Sequence, residues 1–387
     1  MLPFGRVNAG PGRHTVGDAA TAGLNAAFAR MRGPGRDGTL SCTRAGSYLN
    51  PFNGSLVSAN SPCIAPVSIG GRVISAYGCF RSRTNIVSSQ VVSGGGWYNS
   101  GGSPTVTAIT APAPGLVSGY NVSGGNRGFG FGSISGTYVL TAWVRNAGQF
   151  LRFRRGSGAF NIFGSLVATS TWQRLSVVVA PDGASVFELY CTDGLDIAGV
   201  QLELAGYQSP YVPTAGSAVT CPADLLQWTD PIGWTNGAPG EFAILVIPVG
   251  WSAAVGAGHP SGSSARMLDL GTTSTDGINR ALATGKDSFF SSATATSAAS
   301  AAEASGVVRA VFAAWNGTTA TVYQGTTAGT AVAATLNAQS WAFLGNTSLG
   351  TSAYDSLIAP AFFPGGLSAT ERSLYTAAAP STLALAA

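Results

Sequence analysis

At 387 residues the chain is longer than one hydrophobic core ordinarily serves, so two or three domains are expected. Apolar residues make up 45%, which argues against global disorder, and charged residues only 9%, well below the usual ~25%. The net charge of +4 is carried almost wholly by arginine, with Lys286 the single lysine, and it builds no basic field of the size that nucleic acid binding requires.

Other classes are disfavoured in the same way. No stretch reaches the ~18 consecutive apolar residues of a membrane span, so no membrane insertion is expected. The opening Met-Leu-Pro-Phe-Gly-Arg-Val-Asn lacks the basic stretch, apolar run and cleavage site of a secretory signal. His14 and His259 lie far apart, and no His/Cys or His/carboxylate spacing describes a zinc site, so neither a metal nor any other cofactor is expected. Five cysteines leave at least one thiol free or paired between chains. Cys42 and Cys63 lie symmetrically about the turn Pro51-Phe52-Asn53-Gly54. Across an unbulged hairpin they would face each other, a possible disulfide; reduced core thiols are the alternative.

In chain order, residues 1–38 are rich in Gly, Ala and Arg and hold one short helix, 21–32, with Leu24, Ala27, Phe28 and Met31 at helical spacing. Too small to fold alone, this segment is expected to dock onto its own domain or onto a partner. A hairpin and connecting region, 39–89, follows, with strands over 39–45 and 48–57. Residues 90–214 read as one sandwich with strands at 136–145, 171–179 and 185–190, and with Trp143, Trp172 and Leu202 in its core. The glycine-rich runs Ser93-Gly94-Gly95-Gly96 and Gly128-Phe129-Gly130-Phe131-Gly132 lack the strand-to-helix setting of a phosphate loop and read as turns or flexible loops. Residues 215–229, punctuated by Cys221-Pro222, read as a linker. A second sandwich, 230–387, is expected to carry strands at 241–248, 266–271, 307–315, 321–325, 342–345 and 355–363, with a hairpin at Asn316-Gly317 and Phe343 buried. Ser368 then caps a closing helix whose Glu371 completes a capping box. The fold class is all-β: two antiparallel β-sandwich (jelly-roll) domains behind a short N-terminal attachment segment.

Three strings carry a resemblance. Val200-Gln201-Leu202-Glu203, followed by Tyr211-Val212-Pro213-Thr214, resembles the closing strand of the carbohydrate-binding-module-like jelly rolls of phage virion proteins. The run Thr39 to Ala45, with Arg83-Thr84-Asn85, resembles the opening of phage fibre and spike proteins, with Cys42 standing where those carry Phe. Residues 230–378 resemble a laminin-G or concanavalin-like sandwich. The resemblance implies a virion structural protein, a head spike, fibre or tail adhesin, assembled in the host cytoplasm and exposed on the particle. Its partners would be other virion proteins, held through residues 1–38, two further copies in a homotrimer, and host cell-surface polysaccharide.

Candidate chemistry is sparse. No Gly-x-Ser-x-Gly elbow has a plausible His partner, and the 16 acidic residues are scattered, many in turns, without a Glu-x-Asp-x-Glu strand. A binding protein rather than an enzyme is expected; a purely structural decoration or baseplate protein and a polysaccharide depolymerase are the alternatives. Glycan binding needs only exposed aromatics and a few polar groups. Trp97, Tyr98 and Tyr120, set in Gly/Ser/Asn-rich sequence, and Trp251 with His259 in the second sandwich are the candidates; packing on a neighbouring subunit is their other reading. Arg145, Arg152, Arg154 and Arg155 form the one basic patch, either a solvated strand face or a contact for an acidic glycan or a neighbouring subunit.

Overall fold

The computed structural model describes residues 17–34, 37, 39–89, 92, 94, 96–156, 161–229, 238–250, 264–270, 276–281, 284–291, 293–298, 301–336, 341–346 and 354–385. Strand makes up 56% and helix 6%, the all-β class expected.

The chain runs out, makes a detour and returns. Going out it forms α1 (Gly17–Arg30), β1 (Thr39–Thr43), β2 (Tyr48–Leu49), β3 (Leu56–Val57), β4 (Ile64–Ile69), β5 (Arg72–Cys79) and β6 (Arg83–Asn85). The detour holds β7 (Trp97–Ile109), β8 (Gly119–Ser135), β9 (Tyr138–Arg145), β10 (Phe150–Arg155), β11 (Ile162–Val167), β12 (Gln173–Val179), β13 (Asp182–Cys191) and β14 (Asp196–Leu204). The return begins with β15 (Val219–Cys221), β16 (Leu225–Thr229), β17 (Gly240–Pro248), β18 (Ser264–Leu270), β19 (Asp276–Ala281), β20 (Lys286–Phe290) and β21 (Thr294–Thr296). It ends with β22 (Arg309–Trp315), β23 (Thr319–Gln324), β24 (Thr327–Ala328), β25 (Val332–Ala333), β26 (Trp341–Leu344), β27 (Ser356–Pro364) and α2 (Ala369–Ala378).

The outgoing and returning segments build one split sandwich. Its first sheet runs β1-β16-β26-β18-β19-β20-β21 and its second β24-β23-β22-β17-β27-β5-β4, with β25 beside β23. The detour is an insertion in it. β6 and β15 pair antiparallel, Asn85 opposite Val219 and Thr84 opposite Thr220, so the chain leaves and re-enters at one neck. The expected boundaries are therefore corrected. β16, expected within a linker, lies between β1 and β26 with Leu226 and Trp228 fully buried. β5, expected in a connecting region, pairs with β27 in the opposite sheet. A strand whose partners are remote in sequence leaves too short an apolar signature to be told from a linker.

Strand β17 explains the layering. All nine of its residues are buried, because alternate side chains serve two cores. Phe242, Ile244 and Val246 meet the first sheet, in company with Met267, Ile278 and Phe289. Ala243, Leu245 and Ile247 face the other way, toward Leu24, Ala27 and Phe28 of α1 and Tyr375 of α2. Each such side chain withdrawn from water contributes about 1.5–3 kcal/mol. The α1 segment thus docks onto its own domain. The capping box of α2 forms as expected, Ser368 Oγ accepting from Glu371 N and Glu371 accepting from Ser368 N.

Two side-chain expectations change, those for Phe343 and Trp172, and of the two readings left open for the cysteines the reduced one holds. The five cysteines are free thiols. The hairpin about Pro51–Gly54 has arms of two residues only, β2 and β3. Beyond them Cys42 runs opposite Leu226 in the first sheet, while the carbonyl of Cys63 accepts from Gly78 N beside the second. Burial, then the charge of Asp224, raises the Cys42 thiol to about 11 and the Cys63 thiol to about 12. Phe343 is half-buried: Ala342 and Leu344 take the inward positions of β26 and it points the other way. Trp172 is also half-buried, with the Arg145 guanidinium 5.0 Å over its ring, whereas Trp143 and Leu202 are core as expected.

In the inserted sandwich the strand order is β11-β10-β13-β8-β14-β9-β12, with β7 alongside β8. The 17-residue β8 serves both layers: residues 127–135 pair with β13 and residues 120–121 with β14. Between them Gly124 (φ 75°) faces the bulged stretch of β7 containing Gly102 (φ 73°), left-handed positions that turn both strands together. Phe129, Phe131, Phe153 and Phe187 fill the interior, the last two stacked at 5.4 Å.

Two polar networks and an apolar cluster join the sandwiches. At the neck Arg44 and Asp224 form a fully buried pair, and Asp224 also accepts from Phe80 N at 2.9 Å. Burial pushes the Asp224 carboxyl above its ordinary value, against the pull of Arg83 and Arg44. Tyr207, just beyond β14, donates to Asp355 of the split sandwich, which Arg81 also pairs at 3.0 Å. Leu49 packs with Leu116, Trp143 and Tyr211, and its N–H donates to the Tyr211 carbonyl at 2.8 Å.

Candidate ligand-binding face

The outer surface of the β10-β13-β8-β7 layer gathers the polar and aromatic side chains that the inserted core rejects. On β10 Leu151 and Phe153 point inward, so Phe150, Arg152 and Arg154 point outward. Leu189 and Phe187 are core on β13, which turns Tyr190 and Glu188 outward. On β8, Phe129 and Phe131 fill the core and the outward positions are Gly128, Gly130 and Gly132. Strand pairing sets these residues in two transverse rows. Arg152, Tyr190, Gly128 and Tyr98 are successive neighbours in the first, and Arg154, Glu188 and Gly130 in the second.

Glycine turns the rows into a trough. A Cβ at position 128 would stand 2.6 Å from Cζ of Tyr98, so the bare backbone is what lets that ring lie across β8. At 130 the same atom would come within 3.8 Å of Tyr98 Cε1, and at 132 it would meet nothing within 4 Å. Tyr98 is 42% exposed, and its hydroxyl donates to Glu188 Oε2. Burial, then the bond to Glu188 and its charge, pushes the phenol up to about 12, so it remains a neutral donor. Arg154 pairs with the other oxygen of Glu188 and lies 3.7 Å above the Tyr190 ring. Arg152 lies 3.6 Å over the Phe150 ring.

The expected site residues separate accordingly. Tyr98 remains on the accessible surface. Trp97 and Tyr120 are corrected: the glycine-rich sequence around them is strand, not loop, and both are buried. The Trp97 indole donates to the Ser89 carbonyl at 3.1 Å, and Tyr120 sits opposite Ile197. Trp251 and His259 lie outside the described residues. The arginine patch divides: Arg145 pairs with Asp196 at 2.6 Å and Arg155 pairs with Asp182, leaving Arg152 and Arg154 on the trough.

Glu188, Tyr190 and the glycines of β8 escaped the sequence reading. Gly128-Phe129-Gly130-Phe131-Gly132 is period-two alternation, the mark of a strand with one apolar face, but glycine suggests a loop when met first. Phe187-Glu188-Leu189-Tyr190 carries the same alternation.

The arrangement can bind, by stacking an apolar ring face on Tyr98 while Glu188 accepts, and the arginines donate, hydrogen bonds around it. Among the described residues no group of three or more His, Cys, Asp or Glu side chains could hold a metal ion.

No family model and no curated protein matches the chain. Among solved structures it is similar to the enzymatically active domain of tailspike protein 4 from bacteriophage CBA120, at 19% identity and a TM-score of 0.25, over 31% of this chain. It spans 21% of the length of that tailspike chain. It is also similar to the N-terminal CBM22-1-CBM22-2 tandem domain of Xyn10C from Paenibacillus barcinonensis, at 11% identity and a TM-score of 0.24, over 73% of this chain and 96% of that one.

Proposed function

We propose that the chain is a carbohydrate-binding virion protein, in which the split sandwich is the scaffold and the inserted sandwich presents the Tyr98 trough to a host-surface glycan. The observation that carries the reading is the trough itself: an exposed ring laid over bare glycine backbone, beside an ion pair whose oxygens and N–H groups surround it. A pyranose has one apolar face and a rim of hydroxyls, and this surface supplies a partner for each. The placement on a phage particle rests on the sequence resemblance of residues 39–45, 83–85 and 200–214. Binding without cleavage is part of the proposal, and it is supported by the engagement of Glu188 with both Arg154 and Tyr98, whereas glycoside cleavage takes two carboxylates flanking the bond.

The test is a glycan array probed with the full chain and with Tyr98→Ala. A glycan signal lost in the variant, at unchanged melting temperature, supports the reading. No signal, or one indifferent to Tyr98, leaves a purely structural protein; release of reducing sugar from the bound polymer makes it a depolymerase.

A further inference from the structure

We infer that the trough is selective for acidic glycans, with Arg152 as the group that takes the carboxylate. The inference rests on the carbohydrate reading above and narrows it to a substrate class.

Several buried or half-buried arginines elsewhere in the protein meet carboxylates, Arg44 with Asp224, Arg81 with Asp355, Arg309 with Asp287 and Glu303, Arg372 with Glu241, while Arg83, Arg127 and Arg174 bond backbone carbonyls instead. On the trough Glu188 is matched by Arg154, and Glu188 is itself only 5% exposed at the side chain. Arg152 is left over. Among the described residues no carboxylate pairs with it, its Nε is buried without a hydrogen-bond partner, and its guanidinium is held by the Phe150 ring at 3.6 Å. The face therefore carries one uncompensated positive charge, fixed in place by stacking rather than by an ion pair.

Position matters as much as charge. Arg152 opens the row that continues through Tyr190 and Gly128 to Tyr98. β10 and β8 are two strand spacings apart, about 10 Å at about 4.8 Å each. A sugar stacked on Tyr98 thus lies along the row from Arg152, and a second sugar continuing along the row would fall beside it. A disaccharide fits this span, with a hydroxyl-rich unit over Tyr98 and a carboxylated unit at Arg152. The planar guanidinium can take both oxygens of a carboxylate, a geometry lysine does not offer.

The experiment compares one polymer in two charge states: a polyuronate and its carboxyl-reduced neutral form, titrated against the full chain and against Arg152→Gln, Arg152→Lys and Tyr98→Ala. The native protein is expected to prefer the polyuronate about tenfold or more, with a preference that shrinks as salt rises. Arg152→Gln should abolish the preference by weakening the polyuronate far more than the neutral form, and Arg152→Lys should restore part of it. Tyr98→Ala should weaken both polymers alike. Thermal melting of each variant guards against misfolding. Equal affinity for the two forms, or a preference that survives Arg152→Gln, overturns the inference and leaves the carbohydrate reading in place. Failure of both polymers, together with no Tyr98-dependent signal on a glycan array, removes the reading and the inference together.

Discussion

In the split sandwich the outer face of the β17 and β27 sheet is roofed by α1 and α2, and both strands are buried nearly end to end. In the inserted sandwich no helix among the described residues lies over the outer face of the β10-β13-β8 layer, and its residues are Arg, Tyr, Glu and Gly. Both sheets put phenylalanines on the inside; they differ in what alternates with them. Phe242 and Ile244 alternate with Ala243 and Leu245, so a second core must form and helices must supply it. Phe129 and Phe131 alternate with glycine, so the second face stays open to whatever else will lie on it. A change of residue class at every second position thus separates a face roofed by helices from an open polar one.

The comparison can be broken hardest at the neck. Asp224→Ala strands Arg44 in the core and takes an acceptor from Phe80 N, and loss of one partner of a buried pair costs about 3–5 kcal/mol. Denaturant unfolding should register the loss, and both sandwiches should be affected because the neck belongs to both.

Roofed and open faces should respond to truncation in opposite ways. Phe28→Ala removes the α1 anchor from beneath Tyr375, whose ring is 6.2 Å away, and should cost about 3–5 kcal/mol in chemical denaturation. Tyr98→Ala should stay within about 0.5 kcal/mol, as surface substitutions do. Equal losses would show that Tyr98 is as structural as Phe28.

A smaller effect depends on pH. Burial raises the Glu241 carboxyl to about 6 against the lowering by Arg372, from an ordinary value of 4.5. The fold then holds the proton more tightly than the unfolded chain does. This contribution is complete below about 4.5, declines as pH rises and is gone above about 6; it amounts to at most about 2 kcal/mol. Melting curves across that window should show the decline, and Glu241→Gln should flatten it.

The finest distinction lies within the trough. Gly128→Ala places a methyl against the Tyr98 ring and should displace it, while Gly132→Ala meets nothing. Glycan affinity should fall in the first and hold in the second, with stability changed by less than about 1 kcal/mol in either, since Gly in a strand has little packing to lose.

The strand-rich architecture was legible in the sequence because the runs over 138–145, 173–179 and 309–315 are short, apolar and rich in β-branched and aromatic residues, a local signal. The closing helix was equally legible, its start being written in Ser368 and Glu371. What could not be read were long-range facts: that β1 and β16 pair across the whole insertion, and that β5 completes a sheet begun by β17 and β27. Of the candidate trough, one residue, Tyr98, was legible. Trp97 misled because a tryptophan among glycines and serines looks exposed until the strand is paired and its indole is found bonded to Ser89. Arg152 and Arg154 were visible as a patch, but which of the four arginines stayed free depended on Asp182, Glu188 and Asp196, each of them distant in the chain.

The paired strands β6 and β15 have a mechanical consequence. A domain at the end of a chain hangs from one tether, and any pull on it is borne by that single connection. Here a tug on the inserted sandwich is shared by two strands leaving side by side, with the Thr84 and Thr220 hydroxyls 2.7 Å apart and Arg83 lying over the Tyr48 ring at 4.4 Å. Both strands are drawn in the same direction, so the load does not slide one past the other or peel their hydrogen bonds open in turn. The inserted sandwich can thus be pulled without unravelling at its root.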